Sequence, residues 1–345
     1  MRVKRREFLN RKIKHIDLEK IENISNLLDA FQNSSFQSRN LGTCSEVFKK
    51  MLKDKDVTIF LGLSGALVPA GMKKIICQMI NHRLIDVLVS TGANLSHDFY
   101  ESMGNFHYIG HSNADDEMLC KLNIDRIYDT YADDKSFSKS ELFFATFPDI
   151  LENRDYSTRD FFLELGKRIK SRDSIIRACY ENRVPIFCPA LNDSAIGIGL
   201  TGYYMNGKNK AFTINPIRDN YEIMQIAKMS KSTGAIYIGG GVPKNYIQQI
   251  HPMLSVFGSA CRGHKYAIQI TTDDPKWGGL SGCTFEEAKS WGKIQGKACY
   301  ATAYVDATIG LPLLVGSVFQ NKNRAKRKKK NFVWEYDKLV KIKHE

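Results

Sequence analysis

The feature that most constrains this chain is a repeated alternation of short, unbroken apolar runs with longer amphipathic stretches. VTIFL (57–61), IDVLVS (85–90), VPIFC (184–188), AFTIN (211–215), AIYIGGG (235–241), YAIQIT (266–271) and CYATAYV (299–305) are runs of strand length rich in β-branched residues. Helical patterns lie between them. After the first run Met72, Ile75, Ile76, Met79 and Ile80 share one helical face. Further helices are expected at about 160–180, 219–231 and 284–292, and the stretch 111–158 reads as polar and irregular. A strand that is apolar on both faces must be covered on both. The expected class is therefore α/β: a Rossmann-like, doubly wound, mostly parallel sheet with helices on both faces.

Residues 1–50 read as an N-terminal helical arm, 51–320 as one catalytic domain and 321–345 as a basic C-terminal tail. The formal charge of +13 would suggest nucleic acid, but its placement does not. Residues 1–15 carry net +6 and residues 321–345 net +7, which leaves the body neutral. A neutral body with basic ends lacks the electrostatic footprint of a nucleic-acid groove, and no nucleic-acid partner is expected. The run KNRAKRKKK reads as a solvated segment, or as a contact for an acidic partner or another subunit. No apolar run has bilayer length and no apolar segment follows the basic N-terminus, so neither a membrane nor a secretory signal is expected, and the cytoplasm is the default location. The eight cysteines show no C-x-x-C spacing and several lie in apolar runs, as reduced buried thiols do.

The turns after the apolar runs are chemically unusual. They read Gly62-Leu63-Ser64-Gly65-Ala66, Thr91-Gly92-Ala93-Asn94 and Gly239-Gly240-Gly241, with Asp306-Ala307 after the last. In open parallel sheets ligands sit beyond the carboxyl ends of strands, and small residues there let a pyrophosphate approach backbone N–H groups. Any one such turn is explained by a tight bend, but the series points to a dinucleotide. Asp306 is placed either to accept bonds from a ribose or to cap a helix.

A second informative stretch is Trp277-Gly278-Gly279-Leu280-Ser281-Gly282, followed by Glu287, Trp291 and Lys293. Most lysines are solvated. One beside an aromatic wall in a dry pocket becomes an imine-forming nucleophile. Trp291 is placed to form that wall, and Glu287, four residues earlier, to hold an amine or simply to face water.

FLGLSGALVPAGMKKII, IDVLVSTGANLSHD, IFCPALNDSAIG, YIGGGVPK, SWGKI and YVDATIGLPLLV together resemble, in order, the motifs of the deoxyhypusine synthase family, over about residues 55–320. The resemblance implies a Rossmann-like fold, a homotetramer and NAD bound between subunits. It places NAD contacts on Ser64, Thr91, Gly92, Ala93, Asp193, Gly239, Gly240, Gly241, Gly278, Asp306 and Ala307. It puts the imine-forming lysine at Lys293, with Trp291, Glu287, Asn245 and Ser281 around the substrate. The implied chemistry is oxidation of a polyamine by NAD, capture of a four-carbon unit on Lys293, and transfer to an acceptor amine.

Several positions depart from the family pattern. Ile198 and Leu280 stand where spermidine-using members carry acids, Asn245 where they carry a catalytic histidine, and His97 where an acid is expected. An apolar side chain does not pair with an ammonium, so the polyamine pose or the substrates differ. His97 is a candidate general base of near-neutral pKa, or a hydrogen-bonded structural histidine. His107 and His111 have helical i,i+4 spacing but no further ligand, so no metal is expected. The functions to be separated are aminobutyl transfer to the hypusine-carrying translation factor, a homospermidine synthase-like or agmatine-using polyamine synthase, and a catalytically inactive regulatory paralogue.

Overall fold

The computed structural model describes residues 5–207, 212–260, 262–321 and 327–345. Its centre is a six-stranded sheet of β1 (Val57–Leu63), β2 (Val87–Ser90), β3 (Ile186–Phe187), β4 (Ser232–Ile238), β5 (His264–Thr271) and β6 (Ile294–Tyr304). The order is β6-β5-β4-β1-β2-β3 and every pairing is parallel. The chain runs outward from β1 to β3, returns to the other side of β1, and runs outward again to β6. Leu63 pairs with both Ser90 and Ile238, so three strands that diverge in sequence end side by side.

Alternation along the strands divides the interior into two cores. Ile59, Leu61 and Leu63 join Ile236, Ile238, Ile268 and Ile270 beneath the helices Phe36–Lys53 and Ala307–Phe319. Phe60, Val87, Val89 and Tyr237 face the helices Pro216–Met229 and Gly241–Val256 through Ile223, Ile226, Ile247 and Ile250. The expected boundary at residue 50 falls inside the helix Phe36–Lys53. Its Cys44, Val47, Phe48 and Met51 are fully enclosed, and each large side chain contributes about 1.5–3 kcal/mol by burial. That helix is part of the core.

Three sequence expectations are corrected. The stretch 111–158 contributes two of the three strands of a small antiparallel sheet and contains the helix Asp134–Thr146, whose N-terminus is capped by Asp133 accepting from Lys135 N at 3.0 Å. The single helix expected at 160–180 is two, Thr158–Arg168 and Ile175–Asn182. The second starts where the buried Asp98 carboxylate accepts Ile175 N (2.8 Å), Ile176 N (3.0 Å) and the Ser174 hydroxyl (2.7 Å). In AFTIN only Thr213–Ile214 is a described strand, and it pairs with Asp155–Tyr156 outside the main sheet; Ala211 lies outside the described residues.

The basic end is a folded hairpin of β7 (Lys330–Glu335) and β8 (Lys338–His344), although residues 322–326 of the basic run lie outside the described residues. Lys330 is buried and donates to Val57 O at 2.6 Å, and Arg327 meets Asp86 at 2.7 Å. The Arg159 guanidinium lies 4.2 Å from the Trp334 ring and that of Arg218 3.9 Å from the Tyr336 ring. The fully buried Glu222 bridges both arginines, at 2.7 and 3.0 Å. Among the described cysteines all are unpaired; Cys261 lies outside them. Among the described residues no helix is long and apolar enough to cross a membrane.

Candidate functional site

The carboxyl ends of β1, β2 and β4 open onto a cleft of about 220 Å³, lined by Ser64, Thr91, Gly92, Asp193, Gly241 and their neighbours. Local chemistry shapes it. The buried Asn94 accepts Leu67 N at 2.7 Å and holds the loop after β1, while Thr91 caps the helix Gly92–Ser102 and donates to Gly65 O at 2.8 Å. Ser64 donates to Gly240 O. A Cβ at Gly92 would lie 2.4 Å from Ser194 Cβ, and one at Gly240 2.4 Å from Ser281 Cα, so both positions exclude a side chain. Gly239 and Gly240 lead into this wall and Ala93 follows Gly92. Gly278, Asp306 and Ala307 line neither this cleft nor the groove described next. Asp306 caps the helix Ala307–Phe319 by accepting the Thr308 hydroxyl and Thr308 N (2.8 Å), and these bonds, the hydroxyl's foremost, hold its carboxyl below the ordinary range.

Lys293 lines a second, larger space of about 760 Å³ together with Asn245, Gln249, Met253, Leu280 and Trp291. Its Nζ stands 3.4 Å from Asn245 Oδ1 and 5.5 Å from the centre of the Trp291 ring. The dry pocket expected from sequence is not formed within this chain: Lys293 is half-buried and Trp291 is 66% exposed. The glycine cleft and the groove share one wall. Val242 and Pro243, in the first turn of the helix Gly241–Val256, face the cleft, and Asn245 and Gln249 face the groove. Ser281 closes the joint by accepting Gly241 N at 2.9 Å. Glu287 is exposed on the short helix Phe285–Ser290, and Ile198 is exposed on the helix Ala195–Met205.

His97 is not part of either space. It is 9% exposed, and its Nδ1 lies 2.9 Å from His107 Nε2. The near-neutral pKa expected for it is corrected: burial foremost, with His107 adding to it, pulls it down to about 4. His111 is exposed, and the segment holding both His107 and His111 is not helical, so their i,i+4 spacing brings nothing together.

Sequence reasoning missed Lys244, which is 1% exposed. Its ammonium donates to Cys283 O (2.6 Å), Gln269 Oε1 (2.8 Å) and Ser281 O (3.1 Å), and burial pulls its pKa down to about 8. Gln269 Nε2 in turn donates to Ser281 O (2.7 Å) and Gly239 O (2.9 Å). Lys244 and Gln269 thus tie the glycine turn to the loop that precedes Lys293. The signal was the lysine three residues after the triple glycine, which a general expectation of solvated lysines conceals.

Comparison with known proteins gives this geometry its family. A model described as deoxyhypusine synthase matches residues 26–318, so the hairpin β7–β8 lies beyond the match. The chain is 45% identical over 332 residues to the probable deoxyhypusine synthase 2 of Methanosarcina acetivorans, covering 95% of each. It is 38% identical to a deoxyhypusine synthase-like protein of Chlorobaculum parvum, covering 94% of each. The fold is shared with an Entamoeba histolytica protein crystallised as a candidate deoxyhypusine synthase, at TM-score 0.60 and 18% identity, over 91% of this chain and 99% of that one. With nearly its whole length aligned to such relatives, the chain belongs to the deoxyhypusine synthase family.

Proposed function

We propose that the chain is an NAD-dependent transferase that moves a 4-aminobutyl group from a spermidine-type polyamine, through an imine on Lys293, to an acceptor amine. The observation that carries this reading is the placement of the Lys293 Nζ, on a groove one helical turn away from a glycine-edged cleft. Read from its other edge, the sheet runs β3-β2-β1-β4-β5-β6, which supports a Rossmann-like, doubly wound assignment with the cleft where the strand order reverses.

The residues around the cleft suit part of a dinucleotide. Two helices of eleven and sixteen residues begin there, at Gly92 and Gly241, and present N-terminal N–H groups to an anion. At about 220 Å³ the cleft is smaller than the roughly 300–1,000 Å³ of a whole ligand pocket, which fits the family expectation of a cofactor shared between the subunits of a homotetramer. Ser64, Thr91, Gly92, Asp193 and Gly241 would hold NAD, which when bound supplies the acceptor and later the donor of a hydride.

The chain's own residues do the rest. Lys293 Nζ forms a bond to the oxidised carbon, the bond from that carbon to the departing amine breaks, and the butyl unit stays on the lysine as an imine. An acceptor amine then takes the carbon and frees Lys293. Asn245 Oδ1, beside Nζ, accepts a hydrogen bond from the amine form and steers it. Trp291 offers a ring face to a cationic substrate end.

A second reading concerns the acceptor. Leu280, 49% exposed on the groove wall, and Ile198, 61% exposed, offer no charge to a polyamine. This supports a small amine as acceptor, as in homospermidine synthesis or agmatine use, over the lysine of the hypusine-carrying translation factor. Incubation with NAD and spermidine, putrescine or agmatine, followed by borohydride and peptide mapping, is expected to find the butyl adduct on Lys293. A Lys293→Ala variant with full turnover refutes the mechanism. Turnover only with the protein acceptor refutes the small-amine reading.

A further inference from the structure

A cavity of about 470 Å³ lies apart from both the glycine cleft and the Lys293 groove. It opens beside β3, the edge strand of the main sheet, between the helices Thr158–Arg168 and Ile175–Asn182 and the strand β7 of the hairpin. The segment through β3 keeps it separate from the cleft: Val184, Pro185 and Ile186 line the cavity, whereas Pro189, Ala190 and Asp193 line the cleft. Its volume falls within the roughly 300–1,000 Å³ of small-molecule sites.

The wall is mainly apolar, built by Phe162, Leu163, Val184, Ile186, Phe332 and Trp334. Three charged side chains line it as well, and their partners decide which charge is left over. Glu181 is engaged by Arg177 at 2.8 Å. Arg159 is 6% exposed. Its Nε and Nη2 donate to Glu222 at 2.7 and 3.1 Å, and Nη2 also donates to Tyr336 O at 2.9 Å. The Trp334 ring lies 4.2 Å from the guanidinium carbon. A guanidinium carries two N–H donors on each terminal nitrogen. Arg159 Nη1 has no hydrogen-bond partner among the described residues and is not sealed from solvent. Arg183 follows the helix Ile175–Asn182 in the left-handed conformation, is exposed, and has no ion pair among the described residues. The unmatched charge in this cavity is therefore positive.

We propose that the cavity binds a small organic anion: a carboxylate carried on an aromatic or branched apolar body. The carboxylate accepts from Arg159 Nη1 inside and meets the Arg183 guanidinium beside it. The apolar body lies against Phe162, Val184, Phe332 and Trp334. Glu222 and Trp334 already fix the Arg159 side chain, so its donor is in place before the ligand arrives and little side-chain freedom is lost on binding. An ammonium ligand finds no free carboxylate here, because Arg177 occupies Glu181. This site is independent of the transferase reading.

The probes are phenylacetate and its neutral counterpart phenylacetamide. The reporter is fluorine NMR of the full chain labelled with 5-fluorotryptophan, with the Trp334 signal assigned by its loss in Trp334→Phe. The chain has three tryptophans, and Trp291 reports on the Lys293 groove in the same spectrum. Phenylacetate is expected to move the Trp334 signal along a saturating curve, and phenylacetamide to bind about tenfold more weakly. Leu163→Glu puts a carboxylate on the wall from an exposed helix position and should weaken phenylacetate about threefold or more. Arg183→Asn removes the second cation with a residue that accepts the left-handed conformation, and should act in the same direction. It decides the matter if Leu163→Glu does not fold. A Trp334 signal that phenylacetate leaves in place overturns the proposal, as does a response of Trp291 alone. Equal binding of acid and amide, or affinity unchanged in the folded variants, overturns it too.

Discussion

Lys244 offers a quantitative test because two opposing effects meet on one ammonium. Burial disfavours its charge, while three oxygens within 3.1 Å favour it. If burial wins, the folded-state pKa is about 8 against an ordinary value of 10.5. Between those values the unfolded chain binds more protons than the folded one, so stability rises with pH across this window. From about pH 7 to about pH 9.5 the linkage contributes about 2 kcal/mol, a factor of roughly thirty in the unfolding equilibrium. Other buried groups contribute in the same range: burial pushes the Cys44 thiol up to about 12, so it stays protonated in the fold while the unfolded thiol ionises, which lowers stability as pH rises. The informative quantity is therefore the difference between wild type and Lys244→Met. Urea unfolding of both proteins at the two pH values, read as midpoint and slope, isolates it. The wild-type advantage is expected to widen by about 2 kcal/mol at the higher pH. An advantage that does not change with pH would show that the three acceptors offset burial in full, and would refute the reasoning.

Three further outcomes are expected. Gly240→Ala places a Cβ 2.4 Å from Ser281 Cα, so the variant should lose about 1–3 kcal/mol in urea unfolding; full stability would show that the glycine wall can spread. Glu222→Gln removes a fully buried charge between Arg159 and Arg218 and is expected to cost about 3 kcal/mol, measured in the same way. Leu280→Asp adds a carboxylate to the Lys293 groove at a half-exposed position, so KM for spermidine should fall about two- to fivefold with kcat little changed; an unchanged KM would remove Leu280 as a specificity determinant.

The sheet was legible because its strands are enclosed on both faces, which writes them as continuous apolar runs such as VTIFLGL and AIYIGG. The helix Asp134–Thr146 was not, because Ser140, Phe144 and Ala145 are its buried residues and polar side chains fill the rest. The break at 169–174 was hidden because its cap, Asp98, comes from another helix far away in sequence. The hairpin was read as a solvated tail because charge was weighed without partners. Lys330 is buried only because Val57 O and Thr58 Oγ1 wait for its ammonium. In the site, the glycine turns announced the cleft, since only backbone without side chains allows Gly240 and Ser281 to meet. Lys244 and the His97–His107 pair were not legible: their meaning lies in partners that the loops bring to them, and neither shows a periodic pattern.

The single helical turn between cleft and groove has a thermodynamic consequence. Val242 and Pro243 belong to one space, Asn245 and Gln249 to the other, and all four ride on the same backbone. A ligand that stiffens this partition from one side changes the free energy of binding on the other. That influence must be equal in both directions, whichever ligand arrives first.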